Sequence, residues 1–407
     1  MKIIYLHQYF KFPSESGGTR SFDLATGFLS LGHNIEMLTS TSDLKYKTGN
    51  RWSKIEKDGL VVHYIYLPYT NRMSHWRRIL TFFQFLWFSI LKLLTLKGDL
   101  ILASSTPLTI GIPALIKKWI HKTPFIFETR DIWPEAVIAV GAINNKAIQK
   151  VLYYLESLIY KNADAIVPLS VDMKDSIISR YPELASKPIE VIENIAEINR
   201  FQIDNKKKMS LLQKKIGLQP RFTVLYAGTF GHVNGINYVI ELASMLIDLD
   251  SSVVFVLIGD GAEKKEVINN AVYKGVLNKN VFILDAVAKN DLPQLYLESD
   301  MGSSFVIPIK ELWANSANKF FDTLAAGRPI LINHKGWQKE VIIKENIGYV
   351  LPTIINDREI KNFLNYTQRE SLIAKQKKNA LNIAKESYAL HIALKKYNKI
   401  FELIFSK

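Results

Sequence analysis

The chain has 407 residues, 48% of them hydrophobic, with no cysteine and a formal net charge of +14. Such length and apolar content exclude a disordered tail and leave room for two full cores, and the missing cysteine excludes disulfides and thiolate metal ligands. The excess charge sits in two places, 71–122 with eight Lys or Arg against one acid and 358–407 with eleven against four, which suits a polyanionic surface of lipid or nucleic acid.

Met1-Lys-Ile-Ile-Tyr5 enters a strand pattern directly, without a cleavable leader, so a cytoplasmic location is expected. A strand over 3–6, a loop over 8–18, a helix over 19–31 stopped by Gly32 and a strand over 35–39 make a βαβ unit. Gly17 and Gly18 stand just before that helix, where backbone can approach a ligand at the strand's carboxyl end; a purely structural turn is the alternative. Strand-like runs recur at 61–67, 99–103, 124–127 and 165–168, mostly with helical patterns between them, which predicts a mainly parallel sheet covered by helices on both faces.

Within this first half, 79–96 is an apolar run of eighteen residues flanked by Arg77, Arg78 and Lys97, against the roughly 20 that a membrane-spanning helix needs. On a helical wheel Arg77, Thr81, Gln84, Phe88, Lys92 and Thr95 share a stripe, leaving a wide face of Phe82, Phe83, Phe85, Leu86, Ile90, Leu93 and Leu94. A one-sided helix lies in a membrane interface better than it crosses one. Arg77, Arg78, Phe82, Phe83 and Leu86 are therefore the expected membrane contacts, with a buried core helix and a true span as alternatives. The rings lie away from the charges rather than interleaved with them, so no nucleic acid is expected.

Periodicity lapses over 196–220, read as a linker after a first unit of 1–195. It resumes with strands at 222–226, 253–258, 281–284, 302–306 and 330–332, which predict a second doubly wound unit over 221–385, followed by a helix over 386–407. Glycine loops follow the first two of these strands, Gly228 to Gly235 and Gly259 to Gly261. The stretch 314–330 reads as a helix with Asn315, Ser316 and Asn318 at its start and Gly327 at its end, so that its free N–H groups and Lys319 make an anion site; an ordinary capped core helix is the alternative. Both loops and this helix belong in one crevice outside the strand ends. Asp248 and Asp250 have a metal-ligand spacing, but they fall where a helix turns into a strand and read as a solvated turn.

Gly17-Gly18 and Gly32-His33, Glu128-Thr-Arg-Asp-Ile-Trp-Pro-Glu135, Asn162 to Ser170, Val191-Ile-Glu-Asn194, Tyr226-Ala-Gly228, Ile258-Gly-Asp-Gly261 and Asn318 to Pro329 follow one another in a telling order. Over nearly its full length the chain resembles the family 4 retaining glycosyltransferases of the GT-B fold, and among them the WbuB-like branch that builds bacterial surface polysaccharides. The resemblance implies two Rossmann-like doubly wound domains facing a cleft, a C-terminal helix returning to the first domain, and no metal or other cofactor. It implies a UDP-sugar donor, the sugar being an N-acetylated hexosamine or deoxyhexosamine, held by Gly18, Gly228, Thr229, Gly231, Asn234, Gly259, Gly261, Val287, Ser316, Asn318, Lys319 and Asp322. It places Glu128, Arg130, Asp131 and Trp133 on the acceptor side and gives Asp131, Lys319 and Asp322 the catalytic roles. The acceptor implied is a polyprenyl-diphosphate-linked saccharide on the inner leaflet of an anionic membrane, for O-antigen, capsule or exopolysaccharide assembly. The chain departs from the family at two glutamates eight residues apart, whose places hold Ala314 and Asp322. It departs again where Thr229 and Asn234 stand for an arginine and a lysine, and Lys319 carries the positive charge instead. A nucleotide-sugar 2-epimerase or hydrolase and a non-catalytic membrane-bound assembly subunit are the competing readings.

Overall fold

The computed structural model describes residues 1–15, 17–68, 75–202, 210–287 and 291–406. β1 (Lys2–Leu6), β2 (Asn34–Thr41), β3 (Trp52–Lys57), β4 (Leu60–Tyr66), β5 (Leu100–Ser104), β6 (Phe125–Thr129) and β7 (Ala165–Pro168) form one sheet in the order β3-β4-β2-β1-β5-β6-β7. All its pairings are parallel except β3 with β4. β8 (Phe222–Ala227), β9 (Val253–Ile258), β10 (Val281–Leu284), β11 (Met301–Ser304), β12 (Ile330–Ile332) and β13 (Gly348–Val350) form a second, wholly parallel sheet, β10-β9-β8-β11-β12-β13. Strands covered on both faces read as unbroken apolar runs, and Val253–Ile258, buried at every residue, is the clearest case. The expected architecture of two doubly wound sheets is the one the chain adopts.

Two strands were not expected. β3 is mostly polar and lies at an antiparallel edge, and its signal was the turn Asp58-Gly59, where both residues have positive φ as a tight hairpin requires. β13 has three residues and none fully buried, too little for a periodicity. Within 196–220, residues 203–209, including Lys206, lie outside the described residues, while Phe201, Leu212 and Ile216 on either side pack into the core of the second sheet.

Alternation along β1 sorts the helices of the first unit. Ile3 and Tyr5 face the Arg20–Ser30 helix and the Leu390–Phe405 helix, which returns from the far end of the chain. Ile4 and Leu6 face the opposite layer, which includes Phe85, Leu93, Ala114 and Leu115 of the His75–Thr95 and Gly111–His121 helices. The two basic segments therefore end their chains on opposite faces of one sheet and do not merge into a single basic face.

The His75–Thr95 helix also turns differently from the wheel. Thr81, Phe85, Ser89 and Leu93 are its buried line, whereas Leu80, Phe83, Trp87 and Leu91 face outward. Thr81 can go inside because its hydroxyl donates to the carbonyl of Arg77 one turn back (2.9 Å), and small residues let the helix approach its neighbours. Of the expected membrane contacts Phe83 is exposed and so is Arg77, while Phe82 and Leu86 are partly buried. The side chains of Arg78 and Ile79 lie outside the described residues. Among the described residues no helix is long and apolar enough to cross a membrane.

Candidate functional site

In the second sheet the chain steps outward from β8 to β9 and β10, then returns to β11 on the other side of β8. The carboxyl ends of β8 and β11 thus flank a topological switch point, where ligands of open α/β sheets bind. A cavity of about 450 Å³ lies there, within the range of small-molecule sites. It brings together Gly18, Gly228, Thr229, Asn234, Gly259, Val287, Asn318, Lys319 and Asp322 from the expected donor set. Gly231, Gly261 and Ser316 are outside its lining. Gly17 and Asp260, from loops expected to face a ligand, line it too; Ala286 and Leu292 were not expected, the first lying just beyond β10 and the second opening the helix that follows.

Close approach explains two of the glycines. A Cβ on Gly259, whose φ is +156°, would stand 1.8 Å from the carbonyl oxygen of Gly228, so the loops after β8 and β9 touch only because it is absent. On Gly18 it would stand 2.5 Å from Nδ2 of Asn318, so the first unit closes directly on the start of the Asn318–Ala325 helix.

That helix begins later than the sequence suggested. Its N-cap is Ala317, which has no side chain able to cap, so the first N–H groups are left for another partner. Asn315 and Ser316 are not caps, and Ser316 is buried. Lys319 stands one residue into the helix, its ammonium donating to Oδ1 of Asn234 (3.0 Å) and lying 5.0 Å above the ring of Tyr226. Burial lowers its pKa to about 8. Asp322 is buried one turn on. This is a desolvated cation beside uncapped helix N–H groups, in a cavity lined by glycine backbone: the chemistry of a phosphate site.

The first unit contributes differently from expectation. Glu128 is fully buried and does not face the cleft. Its carboxylate accepts from Nε and NH2 of Arg20 (3.0 and 2.8 Å), from the Ser104 hydroxyl (2.7 Å) and from the Tyr397 hydroxyl on the C-terminal helix (2.7 Å). Burial alone would raise its pKa, but the Arg20 guanidinium outweighs burial and holds it at about 2. Glu128 is a structural tie and is corrected from the acceptor set on that ground. Arg130 donates to Nε2 of His7 (3.0 Å). A guanidinium only donates, so Nε2 accepts and Nδ1 carries the proton that goes to Ser21 Oγ (2.7 Å). Burial and then the Arg130 charge lower the His7 pKa to about 3, keeping it neutral. Asp131 accepts from the Thr106 hydroxyl (2.9 Å), and Trp133 is partly buried against the core of the first sheet. None of Glu128, Arg130, Asp131 or Trp133 lines the cavity.

Asp250 is occupied by Arg221 and Ser252 in its turn. Among the described residues no group of three or more His, Asp or Glu is placed to hold a metal ion.

Comparison with known proteins matches residues 17–194 to the family described as Glycosyl transferase 4-like domain and residues 210–382 to Glycosyl transferases group 1. Spore coat protein SA of Bacillus subtilis strain 168 is 24% identical over 242 residues, covering 57% of this chain; the chain spans 63% of that relative's length. The structure of Anabaena Alr3699/HepE in complex with UDP and glucose superposes with a TM-score of 0.71 at 17% identity, over 99% of both chains. WaaG, a glycosyltransferase involved in lipopolysaccharide biosynthesis, superposes with a TM-score of 0.68 at 16% identity, over 98% of this chain and 99% of that one.

Proposed function

For a GT-B glycosyltransferase, with a 4-like domain in its first half and a group 1 domain in its second, we propose a UDP-sugar donor held in the cavity at the β8/β11 switch point. The observation that carries this reading is Lys319, a desolvated ammonium at an uncapped helix start in that cavity. Cleaving a sugar–diphosphate bond puts charge on the leaving phosphate, and fixed donors in a dry cleft stabilise it better than water does. In this proposal Lys319, the N–H groups of Asn318 and Lys319, and Gly228 with Thr229 hold the diphosphate. Asp322 holds ribose hydroxyls, and the Val287 backbone, with Ala286 beside it, meets the base. Transfer proceeds with retention and without metal by front-face attack, the leaving phosphate taking the acceptor proton. Asp131 positions the acceptor beyond the carboxyl end of β6.

The acceptor proposed is a polyprenyl-diphosphate-linked saccharide, and the sugar an N-acetylated hexosamine or deoxyhexosamine, in surface polysaccharide assembly. Support comes from the outward apolar ridge of Leu80, Phe83, Trp87 and Leu91, with Trp119 and Ile120 exposed at the end of the packed neighbouring helix. An apolar ridge of this kind suits a membrane interface. Of the nearby cations Lys118 is paired with Asp164 and Lys117 is tied to the Leu96 carbonyl, while Arg77, Lys97 and Lys122 are exposed.

Purified protein incubated with a panel of nucleotide sugars tests the proposal, read as UDP binding and slow UDP release. A UDP-sugar hydrolysed slowly in the absence of acceptor, and faster with a lipid-linked one, is the expected result. Isomerised donor would identify an epimerase, and absence of both binding and turnover would identify a scaffold.

A further inference from the structure

Residues 314–316, which lead into the donor helix, are held from the other half of the chain. The Ser170 hydroxyl donates to the carbonyl of Ala314 (2.7 Å) while accepting from the amide of Met173. Nδ2 of Asn194 donates to the carbonyl of Ser316. Ala314 itself is buried in an apolar cluster with Ile132, Leu169 and Met173. Beside them Asp172 accepts from the amide of Trp337 (2.9 Å) and so caps the Trp337–Glu345 helix, whose own N-cap is a glycine without a side chain. A second pair of bonds ties this helix back to the same loop, with Nε2 of Gln338 and Nε1 of Trp337 both donating to the carbonyl of Asn315 (3.0 and 3.3 Å). Lys319 lies three residues beyond Ser316.

The seam is costly to keep. Oδ1 of Asn194 and Oγ of Ser316 are buried without a hydrogen-bond partner among the described residues. Leaving such atoms unsatisfied lowers stability, so the stability of either half does not account for an asparagine at 194. A carbonyl can be held at a chosen height by one N–H2 group, however, and the Ser316 carbonyl is two residues from the helix start.

We infer that Asn194, Ser170 and Asp172 are positioning residues: acceptor-side groups that fix the 314–316 loop and thereby aim the Asn318–Lys319 end of the helix into the cavity when the two halves close. This deepens the donor reading above and rests on it. With the halves apart, the loop would lose two hydrogen bonds, its apolar packing and the neighbouring cap at once. The donor phosphate site would then be assembled only in the closed form, which keeps a bound activated sugar from meeting water in an open cleft.

The test uses the full chain and UDP as probe, measuring affinity by calorimetry and hydrogen exchange over 314–323. Asn194→Asp exchanges the donating N–H2 for an oxygen at constant shape, Ser170→Ala removes the hydroxyl, and Ser170→Thr restores it. Expected are at least fivefold weaker UDP binding for N194D and S170A, loss of the UDP-induced slowing of exchange at 314–323, and near wild-type behaviour for S170T. If N194D and S170A lower the thermal midpoint but keep wild-type UDP affinity and wild-type slowing, the contacts are structural only and the inference is overturned. Because S170A also removes a helix cap, N194D decides where the two differ. A wild-type chain that binds no UDP overturns the donor reading itself, and the inference with it.

Discussion

Replacing Lys319 by alanine removes a cation that the fold does not need. Among the described residues its ammonium donates to Asn234 Oδ1 and lies 5.0 Å from an aromatic ring, and burial pushes its pKa down to about 8. A charge-assisted bond to phosphate is worth about 1.5–3 kcal/mol, so Lys319→Ala should weaken UDP about 10- to 150-fold and lower transfer to match. The fold should be unharmed, because removing a desolvated cation relieves a cost. The pH dependence has a definite sign. The folded pKa lies below the ordinary lysine value of 10.5, so the unfolded chain binds more protons between about pH 8 and 10.5 and the Lys319 contribution to stability rises over that window. UDP binding moves the other way. At pH 9 only about one free molecule in eleven keeps the ammonium, so affinity should fall about tenfold from its plateau below pH 8. Titration calorimetry with UDP from pH 7 to 9.5, on wild type and K319A, reads both effects. Equal affinities at pH 7, or the same pH slope in both proteins, would refute the assignment of Lys319 to the phosphate.

Gly259→Ala should abolish UDP binding and lower the thermal midpoint, because the added carbon meets the Gly228 carbonyl oxygen at 1.8 Å and backbone cannot yield as a side chain does; a variant with unchanged affinity would show that the two loops can separate freely. Glu128→Gln leaves the buried Arg20 without its counter-charge and should cost about 3–5 kcal/mol in urea unfolding at pH 7. In the wild type the same carboxylate, at about 2 instead of 4.5, supplies stability that is complete above pH 4.5 and is lost as pH falls toward 2; an acid transition identical in E128Q would contradict this. Phe83, Trp87 and Leu91 changed together to Ser should abolish flotation with anionic vesicles while leaving UDP affinity intact, since all three are exposed and none lines the cavity. A wild-type chain that floats with no vesicle would remove the support for a lipid-linked acceptor.

Much of this protein is legible in its sequence because parallel sheets and their ligand loops leave local marks. Apolar runs such as Val253–Ile258 announce doubly covered strands, and glycines just past strand ends, with a lysine at a helix start, announce where an anion can sit. These signals need only a few neighbouring residues, so one sequence suffices to read them. What tertiary structure decided depends on partners far along the chain. Glu128 looked like a cleft carboxylate until its partners were Arg20, 108 positions away, and Tyr397, 269 positions away, and only the fold could say that the first neutralises it and the second ties the last helix to it. The same holds for the His75–Thr95 helix, whose wheel cannot show that Thr81 satisfies its own hydroxyl and goes inside while Trp87 stays out. It holds for the 314–316 loop, whose caps were sought among its own residues and which is instead held by Ser170 and Asn194. Periodicity fixes which face of an element is apolar; which surface that face meets, and whether a charge is paired, is set by long-range contacts that form only when both halves of the chain are folded.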